Sequence, residues 1–355
     1  MELVAVLHGW RRWGIAVVVA SMAVGVPSAF AGETTTQRAA PVSEVETGVY
    51  SSLDRPGPAL SVPAQRLYSA VSCTANVAGA TRDPVLFVAG TGHNPTSNFA
   101  WNYMRAFKRA GRPWCSVAVP GNSMGDVQVA AEYVVYALRH VSTLSGRKVD
   151  VLGWSQGGMS PRWALRFWPD TRALVDDLVG LAPSNHGTVD AQACVAVCPD
   201  AFWQQRATSR FNVALNSGAE TFEGIAYTVV YTRLDEVVIP NLDARTGSSS
   251  LRTGAGQISN IATQDVCPLS LADHLALGSY DAVGYAAAID AFDHAGPASP
   301  VRIPRSVCAK PYHEGVNPLT FVLDLAGFTT ATAANIAAYP MSAAEPPLSP
   351  YVLAR

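Results

Sequence analysis

Charge is scarce in this chain. Lys, Arg, Asp and Glu make up 15% of its 355 residues, against roughly 25% in an average soluble protein. The formal net charge is −2, and no long basic or acidic run occurs. Nucleic acid or an anionic membrane needs a concentration of positive charge that is missing here, so no nucleic-acid partner is expected. The hydrophobic run near the N-terminus is short as well. The apolar stretch at 14–26 has 13 residues, and a bilayer span needs about 20. No internal repeat is visible, which sets repeat architectures aside.

What precedes and follows 14–26 gives it a different meaning. Arg11 and Arg12 form a basic region before it, and Ala29-Phe30-Ala31 supplies the small-x-small pattern of a cleavage site. Residues 1–31 are therefore expected to be a signal peptide, and the chain is expected to be secreted. Their removal takes away Glu2, Arg11 and Arg12 and makes the net charge one unit more negative. In an oxidising compartment the six cysteines can pair. Six cysteines allow 15 connectivities, and the sequence does not choose among them outright. Cys194 and Cys198, four apart, are close enough on a helix to bridge locally. Cys73 with Cys115, and Cys267 with Cys308, are the economical remaining pairs, each closing a loop worth roughly 4 kcal/mol in a chain-entropy account. A zinc site at Cys194, Cys198 and His186 lacks a fourth ligand at usual spacing, so no metal is expected.

Residues 32–57 are polar without apolar period and read as a flexible leader. Residues 58–355 read as one catalytic domain in which strands and helices alternate. PVLFVAGT (84–91) is a continuous apolar run, as a parallel strand covered on both faces should be, and CSVAVPG (115–121), KVDVLGW (148–154), DLVGLAP (177–183) and GIAYTVVYT (224–232) read as further strands. Between them, 97–111 and 126–146 show helical spacing. Ser97 is the expected N-cap of the first, and Asp126 and Gly146 bound the second. The pattern predicts an α/β fold with a mostly parallel sheet and helices on both faces.

The chemistry is written after the third of those runs. Gly153-Trp154-Ser155-Gln156-Gly157 is a G-x-S-x-G sequence between an apolar strand and a helix. There the serine is held in a strained turn with its hydroxyl above the sheet edge, and larger residues at either glycine would clash. Such a serine needs a base, and the base needs an orienting carboxylate. On the α/β-hydrolase fold they follow in the order Ser, Asp or Glu, His. Asp235 ends the run GIAYTVVYTRLD, with Glu236 adjacent as its rival. Two Asp-His pairs compete for the base, at His274 and His294. Residues 257–266 read as the last strand and 275–292 as the helix after it. His274 thus stands at the catalytic edge and His294 at the opposite one. The Gln156 N–H and Thr91 are the expected oxyanion donors. His93, in the loop of Thr91, reads as an exposed histidine.

Taken together, Gly90-Thr91-Gly92, Trp154-Ser155-Gln156-Gly157-Gly158, Gly187-Thr188-Val189, Trp203-Gln204-Gln205, Asp235-Glu236-Val237-Val238 and Asp273-His274 resemble, in order and approximate spacing, the Candida antarctica lipase B family of serine lipases. The resemblance covers roughly residues 60–310. It implies Ser155, Asp235 and His274 as a triad, Thr91 with Gln156 as oxyanion hole, Trp154 as floor and Val237 as wall of the alcohol-side pocket. It also supports the pairs Cys73–Cys115 and Cys267–Cys308, and it implies no cofactor. The function expected is hydrolysis of lipophilic carboxylic esters by a monomer, with a lipid–water interface as its surface. An acyltransferase using the same triad, or a non-catalytic binding protein on the same scaffold, are the alternatives. The departures are a shorter lid segment at 190–202 stapled by Cys194–Cys198, Ser184 in place of an acidic residue, and Pro161 where a helix should kink. The apolar segment 317–340 is expected to be partly helical and to cover the core or line the acyl entrance.

Overall fold

A computed structural model describes residues 49–354; the expected signal peptide and most of the expected leader lie outside them. Strands β1 (Val71–Cys73), β2 (Val85–Val88), β3 (Trp114–Val117), β4 (Val149–Trp154), β5 (Val175–Leu181), β6 (Ala226–Tyr231) and β7 (Gln257–Ala262) form a seven-stranded sheet. Their order is β1-β3-β2-β4-β5-β6-β7. Every neighbouring pair is parallel except β1 and β3.

Alternation along each central strand feeds two cores. Leu86, Val88, Val149 and Val151 pack on one face of the sheet with the helices Val127–Ser145 and Gln156–Phe167. Val85, Phe87, Leu152 and Trp154 pack on the other with Tyr103–Arg109 and Ala282–Asp293. Each fully buried aliphatic side chain stabilises the fold by about 1.5–3 kcal/mol. Both faces being covered is why β2 is apolar throughout and β4 is apolar but for Asp150. The long helix has the ends its sequence announces. Asp126 accepts from the Gln128 N–H at 2.8 Å, and Gly146 leaves the helix at φ 69°.

Several local expectations are corrected. The helix expected over 97–111 is capped by Asn94, not Ser97. Asn94 accepts from the Thr96 and Ser97 N–H groups, and Ser97 returns a bond to the Asn94 N–H in a capping box. That helix ends at Phe99, and a second, Tyr103–Arg109, is capped afresh by Asn102. The helix expected over 275–292 is likewise two, His274–Leu277 and Ala282–Asp293, with Asp281 capping the second. Gly278 lies between them because the Trp154 ring occupies its Cβ direction, 2.3 Å away. Cys194 and Cys198 are joined across an irregular turn, not a helix, at a Cα separation of 5.8 Å. The other disulfides are Cys73–Cys115 and Cys267–Cys308.

Residues 49–57, expected to belong to a flexible leader, are fixed to the domain. Tyr50 bridges to Leu353, and the Ser51 N–H bonds the Val352 carbonyl at 2.9 Å. Arg166 and Arg172 donate to the carbonyls of Ser51 and Leu53. The partners that order this segment come from the far end of the chain, so its own composition does not reveal them.

The edge of the sheet away from Ser155 carries a concentration of acid. The register between β4 and β5 shifts from Val149↔Val175 to Val151↔Leu178, so Asp176 and Asp177 together oppose Asp150. Asp83 pairs with Arg147 and Asp176 with Lys148. Asp177 is buried, and its Oδ1 has no protein partner. Burial, then repulsion from Asp176 and Asp83, outweigh Lys148 and push the Asp177 carboxyl up to about 8. The folded state therefore holds this proton long after the unfolded chain has lost it near pH 4. Stability from this group is present at low pH and declines as pH rises through about 8. Asp177→Asn is accordingly expected to raise the thermal midpoint at pH 8 by several degrees and to do little at pH 4. An offset independent of pH would contradict this origin.

Candidate active site

Ser155 occupies the residue between β4 and the helix Gln156–Phe167, at φ 54° and ψ −124°. That left-handed backbone costs a serine on the order of 1–3 kcal/mol. The surroundings leave the chain no alternative. A Cβ on Gly153 would lie 1.9 Å from the Gly157 carbonyl oxygen, and one on Gly157 would lie 2.1 Å from that of Val88. The Ser155 N–H is held by the Leu181 carbonyl at 2.9 Å. The helix that follows runs on through Pro161 to Phe167, so the proline does not end it.

His274 opens the short helix His274–Leu277, whose N-cap Asp273 accepts from the Ala276 N–H. Its ring is buried, with Nδ1 3.1 Å from Asp235 Oδ2. A carboxylate only accepts, so Nδ1 carries the proton and the neutral ring presents Nε2 as acceptor. The other oxygen of Asp235 accepts from the Val237 and Val238 N–H groups at 3.0 and 2.7 Å. Glu236 bonds the backbone N–H of His274 at 3.1 Å and not the ring. The two adjacent carboxylates are thus separated in role by chain alternation. His294 stands at the end of Ala282–Asp293, half-exposed and paired with Asp290.

The ring of His274 is under opposing influences. Burial is the largest and disfavours the imidazolium. The charge and hydrogen bond of Asp235, joined by Glu236 and Asp273, outweigh it and hold His274 above its ordinary value.

Thr91 and Gln156 meet beside the serine turn. The Thr91 hydroxyl donates to Gln156 Oε1 at 2.7 Å. Gln205 Nε2 donates to the Thr91 oxygen at 2.9 Å and to Gln156 Oε1 at 3.3 Å. Ser184 in turn donates to Gln205 Oε1 at 2.9 Å. Gln205 and Ser184 are the partners of Thr91 and Gln156 in this network that sequence reasoning did not assign. The Trp-Gln-Gln motif quoted Gln205 without giving it a task. The Gln156 N–H is the first of its helix and has no partner within it.

Trp154 is 2% exposed, wedged between Gly90 and Gly278. Its indole N–H donates to the His274 carbonyl at 3.1 Å, and Val237 lies half-buried on the neighbouring loop. His93 corrects the expectation of an exposed histidine. It is fully buried, with Phe328 stacked on it at 4.2 Å and Thr332 Oγ1 at 2.6 Å from Nε2. Burial lowers it to about 4, so the ring is neutral at ordinary pH. The segment 190–202 is pinned at Cys198 by backbone bonds to Ser342 in both directions, while Val195 is 83% exposed. Among the described residues the one carboxylate group with metal-ligand spacing is Asp83, Asp150 and Asp176, at the opposite edge of the sheet.

The chain was also compared as a whole with known proteins. No family model matches the chain. Over 222 residues it is 33% identical to lipase B of Pseudozyma antarctica, covering 61% of this chain and 64% of that one, just under two thirds of the relative's length. The crystal structure of Aspergillus fumigatus lipase B superposes with a TM-score of 0.76 at 29% identity, covering 84% of this chain and 74% of that one. The chain has the α/β-hydrolase fold, and its resemblance to lipase B extends well beyond the short motifs.

The balance of charges on His274 is open to titration. Followed by NMR, its imidazole is expected to titrate above 6.5, and Glu236→Gln is expected to lower the midpoint. A midpoint that Glu236→Gln leaves in place would remove Glu236 from the charges that sustain the imidazolium.

Proposed function

We propose that this chain is a secreted serine esterase of the lipase type, hydrolysing lipophilic carboxylic esters through an acyl-enzyme on Ser155. The observation that carries the reading is the buried His274–Asp235 pair at the same sheet edge as a serine held at positive φ. Ser155 attacks the ester carbonyl and His274 Nε2 takes its proton. Asp235 keeps Nδ1 protonated and favours the imidazolium that forms. The Gln156 N–H and Thr91 receive the oxyanion. Because Gln205 donates to the Thr91 oxygen, the hydroxyl proton of Thr91 must point elsewhere. In the resting site it goes to Gln156, and in the reaction it turns to the developing charge. The alcohol leaves with the proton from His274, and water cleaves the acyl group by the reverse path. Trp154 serves as floor and Val237 as wall on the alcohol side.

Lipophilic substrates are supported by the surface. The helix Phe321–Ala338 has mean hydropathy 1.3 and buries little of itself. Leu319, Val322 and Leu323 at its start are exposed, as are Val195 and Val197. Such a face suits a lipid–water interface. Secretion is supported by the three disulfides, which persist in oxidising compartments.

The test is hydrolysis of p-nitrophenyl esters from C2 to C16 by residues 32–355. Ser155→Ala is expected to lower kcat by about 10⁴-fold or more while leaving thermal stability near wild type. Turnover that survives the substitution would show that Ser155 is not the nucleophile. A transfer product formed in water at modest alcohol concentration would favour the acyltransferase reading.

A further inference from the structure

We propose that Thr332 and Asn335, on the C-terminal helix Phe321–Ala338, are positioning residues that clamp the oxyanion loop through His93 and Gly92. This rests on the esterase reading and extends it to a segment from the far end of the chain. The loop that carries Thr91 is a tight turn, closed by the His93 N–H on the Gly90 carbonyl at 3.1 Å. Gly92, at φ 80°, stands at its tip. Turns of this kind are held weakly by their own single bond. Asn98 accepts from the Gly90 N–H at 3.1 Å and Gln156 and Gln205 hold the Thr91 hydroxyl, and the helix holds the tip of the turn. Asn335 Nδ2 donates to the Gly92 carbonyl at 2.8 Å. Thr332 Oγ1 lies 2.6 Å from His93 Nε2, and its methyl fills the space beside Gly92. On its other side the His93 ring meets Ser97 Oγ at 3.0 Å, so both nitrogens are engaged.

The clamp has an apolar hinge pin. Phe328 is the buried residue of the helix, stacked on His93 and packed against Trp154 at 5.3 Å. Most of the remaining helix surface is exposed. Phe321 and Leu325 pack on the core nearer the start of the helix, and at the Thr91 loop the contacts are those of Phe328, Thr332 and Asn335. An oxyanion donor acts only if it is already in place when charge develops, because reorganising it then would consume the stabilisation it offers. Loosening the loop should lower turnover more than ground-state binding.

The test compares Thr332→Val, which removes the hydroxyl but keeps the shape, with Thr332→Ser, which restores the hydroxyl, and with Asn335→Ala. Thr332→Val and Asn335→Ala are expected to lower kcat on p-nitrophenyl butyrate by about tenfold with KM within about twofold. Amide hydrogen exchange in the peptide spanning residues 89–99 is expected to rise in both variants, and Thr332→Ser is expected to restore both readouts. Wild-type exchange and wild-type kcat in Thr332→Val and Asn335→Ala would overturn the proposal. So would faster exchange without loss of kcat, since the helix would then order the loop without bearing on its donors. If the wild-type protein shows no Ser155-dependent turnover, the esterase reading fails, and the clamp as a positioning device fails with it. Exchange then still reports whether the helix holds the loop.

Discussion

The structure depends on one reversal of the chain. At Ser155 a strand buried on both faces becomes a helix within a single residue, and the backbone must enter the left-handed region to do so. The close approach of Gly153 to Gly157, and of Gly157 to β2, leaves space for hydrogen and nothing larger. The strain is sustained by packing elsewhere. Leu181 on β5 holds the Ser155 N–H, and the sheet on either side is well buried. The same reversal makes Gln156 the first residue of the helix, with an N–H that has no partner within it. In the proposed reaction, the nucleophile and the Gln156 N–H are thus neighbours in one backbone event.

The second constraint is electrostatic. His274 and Asp235 are both removed from water, and each alone would be costly to bury in its charged form. Together they satisfy one another, and the remaining oxygen of Asp235 is met by two backbone N–H groups. Four acidic neighbours at the opposite edge of the sheet show the contrasting case. There the carboxyl of Asp177, without such donors, retains its proton to about 8.

Much of this was legible in the sequence because the signals are local. The apolar runs of β2 and β4, the glycines around Ser155, and the position of His274 relative to its following helix all lie within a few residues of the feature they predict. Asp235 was legible from its place at the end of the strand run, and alternation allows only one of Asp235 and Glu236 to face the serine. What escaped reading depends on distant partners. His93 is covered by Thr332, 239 residues away, and no neighbour of His93 in sequence announces that cover. Residues 49–57 are ordered by 352–353. Strand β1 has three residues, too few for a period, and pairs with β3 where Cys73 meets Cys115. The second glutamine of the Trp-Gln-Gln motif acquires its task only when the fold brings it to Thr91.

Whether Ser155 is activated is measured most directly by its reaction with a fluorophosphonate, read by intact mass and peptide mapping. The account predicts a single adduct, on Ser155, abolished in Ser155→Ala and slowed in Asp235→Asn, where the imidazole loses its orienting charge. No adduct on the wild-type chain, or an adduct at another residue that persists in Ser155→Ala, would contradict it.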